Sequence, residues 1–264
     1  MTSTEHPTRL LADLVAQDPG RPRITQYGAD GERVELSARV LGTWVAKTAN
    51  LLVDEADLGA GGHVLLDLPP HWRALVWALG TWSADGTVRL PDAADGTGPV
   101  DGADDLDLVV TDRPGDHPST TSGAGAQLVA VALPALARTA DGPLPAGAID
   151  YAAEVMVHGD VFAPVPAAAA QPALRSRGGT TPWPALADRA TSLAAASGWS
   201  ASTRVLLGID RAARSDRPDA LRRLLEVALA VLAVGGSLVL VMDDLPADRL
   251  DHLASTEGVT DRLG

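Results

Sequence analysis

The chain has 264 residues, 46% of them hydrophobic, with Lys+Arg 21 against Asp+Glu 34 and a formal net charge of −13. That balance excludes a nucleic-acid binder, which needs a basic face. The basic residues that cluster (Arg211, Arg214, Arg217, Arg222 and Arg223) are interleaved with aspartates. There is no cysteine, which removes disulfides, thiolate nucleophiles and thiolate metal sites and fits a reducing cytoplasm.

The first nine residues lack the apolar core of a signal peptide. Residues 8–17 read as a short helix, closed by Asp18-Pro19-Gly20. Residues 24–27 and 33–36 flank Gly28-Ala29-Asp30-Gly31, a hairpin whose turn tolerates positive φ. Ser37 is placed to cap a helix carrying Leu41, Trp44, Val45, Leu51 and Leu52 at helical spacing. Glycines 59, 61 and 62 release it, and residues 63–68 (HVLLDL) read as a buried strand. Pro69 and Pro70 end that strand, with Pro70 at a helix start. Residues 72–84 are apolar on most sides, the mark of a helix covered on both flanks. Asp85-Gly86 turns the chain into a strand at 87–90, parallel to the first if the crossover is right-handed.

Residues 92–105 read as a surface loop, 106–111 as a strand, 114–125 as a second loop and 128–133 as another strand. A helix is expected within 149–157, with Asp150 near its start. Pro164, Pro166 and the alanines 167–170 read as a linker, which sets a boundary near 163–171. The pattern then restarts. A strand is expected at 172–175, a Gly/Thr/Pro turn at 176–184, a helix at 185–197 and a strand at 204–209. A long helix at 218–234, a strand at 237–242 and a helix at 245–257 follow. The longest apolar segment, 227–242, is short for a membrane span and breaks at Gly235-Gly236-Ser237.

The unit at 36–92 resembles the N-terminal part of the AMP-forming adenylate synthetases: acyl-CoA synthetases, luciferases and peptide-synthetase adenylation domains. The matching residues are Leu36, Ser37, Leu51, Leu52, Gly61, Val64, Pro69, Trp72, Leu79, Gly86, Val88 and Pro91. Over nearly its full length the chain resembles a family of short actinobacterial proteins described only as relatives of acyl-CoA synthetases. The resemblance implies an α/β fold with two similar αβ lobes and mostly parallel sheets, as in a truncated N-terminal domain of such an enzyme. The lobes are expected at 1–166 and 167–264.

It also draws attention to Ser176, Gly178, Gly179, Thr180 and Thr181, near where these synthetases carry a phosphate loop followed by Pro-Lys-Gly. Glycines let backbone N–H groups approach phosphate oxygens, hydroxyls add donors, and a lysine adds charge. Here Trp183-Pro184 stands in place of the lysine, and the same residues also suit a plain strand–helix turn. ATP or AMP with Mg is the implied ligand. The family's adenine-side Tyr-Gly-x-Thr-Glu segment, its ribose aspartate and its lid lysine find no match. Independent adenylation is therefore not expected, because it needs cations against the transferring phosphate and a fixed carboxylate. No catalytic or metal-ligating residue is assigned.

Other readings stay open. The chain could be a non-catalytic protein-interaction module, half of a split synthetase, or a homodimer formed through a leftover apolar face. Residues 204–244 also resemble the late region of an S-adenosylmethionine methyltransferase, but no early strand runs into a glycine loop. GxSxG, HExxH and Walker A motifs are absent. His158 near Asp160 reads as part of a surface loop, and His71 as a surface residue at a helix end. Trp44, Trp72, Trp77 and Trp82 read as core rather than as a binding wall.

Overall fold

His63–Asp67 and Ser237–Val241 are apolar with little alternation, the pattern of strands covered on both faces. Each sits at the centre of a sheet in the structure, a computed structural model. It describes residues 6–28, 31–92, 105–117, 125–163, 171–209, 215–242 and 244–263. The chain begins with α1 (Pro7–Gln17), the hairpin β1 (Pro22–Tyr27) and β2 (Arg33–Ser37), and α2 (Ala38–Asp54). Next come β3 (His63–Asp67), α3 (Trp72–Ser83), β4 (Thr87–Arg89), β5 (Leu108–Thr111) and β6 (Gln127–Ala130). β7 (Ile149–Asp150), α4 (Tyr151–Glu154) and the hairpin β8 (Pro172–Ser176) and β9 (Gly179–Pro182) follow. The last elements are α5 (Trp183–Ala196), β10 (Arg204–Gly208), α6 (Arg217–Ala233), β11 (Ser237–Val241), α7 (Ala247–Thr256) and β12 (Asp261–Leu263).

One sheet has the order β12-β10-β11-β1-β2 and the other β7-β6-β5-β3-β4-β8-β9. Among the described residues every neighbouring pair is parallel except the hairpins β1–β2 and β8–β9. The α/β class with mostly parallel sheets is therefore as expected. α1, α2, α3, α5 and α6 share one apolar core with the inner faces of both sheets. Every residue of α3 is buried, which is why its sequence is apolar all round. Gly80 lets α2 approach: a Cβ there would lie 3.0 Å from Thr48 Cγ2. Ser37 caps α2 by accepting from the Val40 N–H at 3.3 Å. α7 packs its Ala254, Leu250 and Leu253 on the outer face of the five-stranded sheet, against Leu206, Val239 and Val241.

Sheet membership does not divide at the expected 166/167 boundary. β1 pairs in parallel with β11, from Ile24↔Leu238 to Tyr27↔Val241, so the first hairpin completes the second sheet. β8 pairs with β4, so the hairpin after the boundary completes the first. Consecutive strands often pair, as β3–β4 and β5–β6 do here, but β11 and β4, buried on both faces, each take one further neighbour from the other half of the chain.

Local differences are smaller. Residues 149–157 split into β7, α4 and a 3-10 turn at Val155–Val157, because Asp150 caps α4 by accepting from the Ala152 and Ala153 N–H groups. The strand expected at 128–133 ends at Ala130, and the turn expected at 176–184 contains β9. β7 and β12 are too short for a periodicity signal. Most of the loop at 92–105, the middle of that at 114–125 and most of the linker at 163–171 lie outside the described residues.

Candidate functional site

The glycine-threonine stretch forms the turn and second strand of a hairpin. Arg175 pairs with Thr180 and Ser176 with Gly179, leaving Arg177 and Gly178 to turn. Gly179 takes φ +99°, a backbone state that suits glycine. A turn this short leaves no long run of N–H groups to wrap an anion. Thr181 is buried, while Ser176, Gly179 and Thr180 line a cavity of about 410 Å³ together with Arg89, Leu90, Asp92, Asp105, Arg175 and Arg177. Gly178 sits at the turn and is not among the lining residues.

The cavity's charge comes from strands that are distant in sequence. Arg89 on β4 is the register partner of Arg175 on β8, so both guanidinium stems leave the same face of the sheet. Arg175 Nε donates to Thr180 Oγ1 at 3.3 Å. Arg177 donates through Nε to the Asp92 carbonyl and lies 3.0 Å from Asp216 Oδ2 through Nη1. Lys47 is the sole lysine of the chain. It is buried on α2, where its Nζ donates to the Met156 and His158 carbonyls at 3.2 and 2.5 Å and pairs with Asp160 at 2.8 Å. No lysine therefore serves the hairpin.

A second polar cluster lies where the strand order reverses. β3 leads through α3 to β4 on one side, while β5 lies on the other side of β3. In open α/β sheets the crevice outside the carboxyl ends at such a point is the usual ligand position. Here Asp67, 1% exposed, accepts from Thr111 Oγ1 at 3.2 Å, from Arg113 Nη2 at 3.1 and 3.2 Å, and pairs with His117 Nε2 at 3.0 Å. Arg217, at the start of α6, donates to the Asp67 carbonyl at 3.3 Å and to Asp112 Oδ1 at 2.5 Å. These bonds join the carboxyl edge of one sheet to a helix packed on the other, and Thr111, Arg113 and His117 converge on one buried carboxylate.

The structure corrects two histidine expectations. His158 is buried, with Nδ1 3.7 Å from Asp54 Oδ2, while Asp160 faces Lys47. His71 is buried too and caps α3, its Nδ1 accepting from the Arg73 N–H at 3.2 Å. Trp72, Trp77 and Trp82 are core, with Trp44 packed against it. Arg73, 1% exposed, lies 4.4 Å from the Trp72 ring and 5.3 Å from Trp44, and burial lowers its pKa. Burial likewise pushes the Tyr151 hydroxyl up to about 12, although Thr48 bonds it at 2.7 Å. Arg211 and Arg214 lie outside the described residues; Arg217 pairs with Asp112, and Arg222 with Asp219 and Glu226.

No family model matches the chain. Among curated proteins, a TIGR03089 family protein of Mycobacterium tuberculosis (strain ATCC 25618 / H37Rv) is 37% identical over 262 residues, covering 95% of each chain. The chain belongs to the TIGR03089 family. Solved acyl-CoA synthetases share its fold. The Brucella canis acyl-CoA synthetase superposes with a TM-score of 0.76 at 18% identity, over 98% of this chain and 47% of that one. A long-chain-fatty-acid-CoA ligase of Archaeoglobus fulgidus gives 0.72 at 14%, over 97% and 50%. A fatty acyl CoA synthetase of Mycobacterium tuberculosis gives 0.71 at 12%, over 97% and 48%. This TIGR03089 chain thus spans about half the length of the solved structures it matches.

Sequence reading missed Arg89, Arg175 and Asp67 in this TIGR03089 protein. A signal was present: Arg89 and Asp67 each interrupt a short apolar strand, and charged residues are seldom buried without a partner or a task.

Proposed function

We propose that this chain keeps the scaffold of the adenylate-forming synthetases as a nucleotide- or acyl-adenylate-binding protein without independent adenylation activity. Its ligand-facing element is the hairpin carrying Ser176, Gly178, Gly179, Thr180 and Thr181. The observation that carries this reading is the cavity of about 410 Å³ against the hairpin, with Ser176, Gly179 and Thr180 in its wall beside three arginines. Hydroxyl and guanidinium donors together suit phosphate oxygens. The fold shared with solved acyl-CoA synthetases supports the same ligand class.

Acyl-adenylate formation moves charge onto the α-phosphoryl group and requires donors fixed where that charge develops. The hairpin supplies no lysine, and Lys47 is held on α2 by two carbonyls and Asp160. Among the described residues no three His, Asp or Glu side chains converge on a metal position. Magnesium would enter with the phosphates, as it commonly does; among the described residues of the cavity wall, Asp92 and Asp105 carry the carboxylates that would receive it. Binding, orientation and water exclusion are then what this chain's own residues provide. The compartment is proposed to be the cytoplasm, in keeping with the cysteine-free composition.

Calorimetric titration of the purified protein with Mg·ATP and with AMP tests the reading. Saturable binding that Thr180→Val weakens is expected. A flat titration with both ligands sinks it.

A second reading, as a protein-interaction module or homodimer, is favoured by one observation. Met156, Val157 and Val161 stand 60%, 76% and 82% exposed within one short segment. It requires a partner or a second copy in solution; a solitary monomer at native concentration argues against it.

A further inference from the structure

We infer that a cavity at the amino edge of the seven-stranded sheet, where Asp85 meets Trp82 and Trp183, binds a primary ammonium group. The site goes beyond the hairpin reading and does not depend on it. Asp85 precedes β4 and Pro172 opens β8, whereas the hairpin's cavity lies at the other ends of these two strands. The ground is a carboxylate that the fold buries and leaves unmatched. Asp85 is 7% exposed, and among the described residues its side chain accepts no hydrogen bond and joins no ion pair. His6 lines the same cavity, but one of its ring nitrogens bonds Thr8 Oγ1 at 3.0 Å, and burial lowers its pKa. Burial raises that of Asp85, against a smaller downward pull from His6. Asp85 also takes φ +59°, where glycine or asparagine would make the same turn without burying a charge.

The walls select the ligand. The Trp82 and Trp183 rings lie 5.5 Å apart between centroids, inclined at 56°. Trp82 is fixed by its Nε1, which donates to the Ala173 carbonyl at 2.7 Å. Gln171 and Pro172 add to the lining. A Cβ on Gly61 would stand 2.8 Å from Gln171 Nε2, so glycine there makes room for the amide. A calcium or magnesium ion takes about six oxygens or more, and this wall offers one carboxylate and one amide among apolar surfaces. A primary ammonium needs less: a carboxylate against its charge, aromatic faces beside it and apolar surface for its alkyl tail. The cavity, of about 20 Å³, has room for about one water-sized group. It therefore takes an –NH3+ head and rejects a quaternary one.

The test is thermal denaturation of the full chain at neutral pH in ethylammonium, tetramethylammonium or sodium chloride at equal concentration. Ethylammonium should raise the Tm saturably above its value in sodium chloride, and tetramethylammonium should not. Nα-acetyl-lysine methylamide carries the same head on a lysyl side chain. Saturation by either amine supports the site, and the tighter of the two tells a free amine from a lysine of a partner chain. Asp85→Asn keeps the shape and suits the positive φ. It should lose at least about tenfold in ethylammonium affinity. Without ligand it should melt about 2–4 °C above the parent, because an unmatched buried charge is gone. Asp57→Asn makes the same change at an exposed aspartate of φ +49° and so measures the backbone's share; it should bind as the parent does. Melting of Asp85→Asn below the parent makes Asp85 a structural turn residue and overturns the inference. Equal stabilisation by all three salts overturns it too. So does ethylammonium acting alike on the parent and Asp85→Asn, which leaves the cavity to water.

Discussion

Lys47 shows how burial fixes the role of a residue. Its charge is matched by Asp160, but its larger task is to satisfy two carbonyls of the segment leaving α4, at Met156 and His158. Asn50, one turn along α2, does the same for the Gly159 and Val161 carbonyls at 2.9 and 3.0 Å. Asp160 is 67% exposed, so its part in the ion pair is weak. Lys47→Met should therefore cost about 2–3 kcal/mol, because it strips buried carbonyls of a charged donor. Asp160→Asn should cost less than about 1 kcal/mol. Urea denaturation of the two variants checks this; equal losses would make the ion pair the stabilising contact instead. The sequence presents Lys47 as one polar residue on an amphipathic helix and cannot show which carbonyls it meets, since they lie more than a hundred positions away.

Elements were legible where periodicity was long. α2, α3, α6 and β3 form close to where their apolar patterns place them, and Ser37 caps as its side chain predicts. The short strands β7 and β12 were not, because two or three residues carry no period. The candidate site was half legible. Glycine and threonine marked the hairpin, but the arginines meet only through strand register.

α7 was found as a helix, yet what ties it down was hidden. Glu257, its C-cap, is 6% exposed at the side chain and accepts from Tyr27 OH, from Arg33 Nε at 3.0 Å and from Arg204. Burial alone would raise its pKa; the hydrogen bonds from Tyr27, Arg204 and Arg33 outweigh that and hold it below its ordinary 4.5. A lowered folded pKa contributes stability that is complete above the unfolded value and lost as pH falls through the folded one. Glu257→Gln should thus melt below the parent at neutral pH, with the gap closing only under acid conditions below about pH 4. A gap that widens on acidification would reverse the sign of the argument.

At the scale of the whole molecule, the two sheets are interlocked by the chain itself. The hairpin β1–β2 leaves the N-terminal half to pair through β1 with β11, and the hairpin β8–β9 leaves the other half to pair through β8 with β4. Arg217 adds a polar tie, from α6 to Asp112 and the Asp67 carbonyl. Five helices fill one core between the sheets, so the inner apolar faces of both sheets are buried against the same helices. A cut after residue 166 tests this organisation. The piece 1–166 would hold β1 without its parallel neighbour β11, and would expose α3 where α6 covers it. The piece 167–264 would hold β8 without β4, and β11 with a bare edge. Each would present unpaired backbone and apolar surface, the conditions under which isolated strands aggregate or stay unfolded. The expected outcome is that neither piece alone gives a cooperative thermal transition, whereas the two refolded together do. Independent, cooperative melting of either piece would mean that its sheet and helices suffice as a unit. The lobes would then be separate folding domains in spite of the exchanged hairpins.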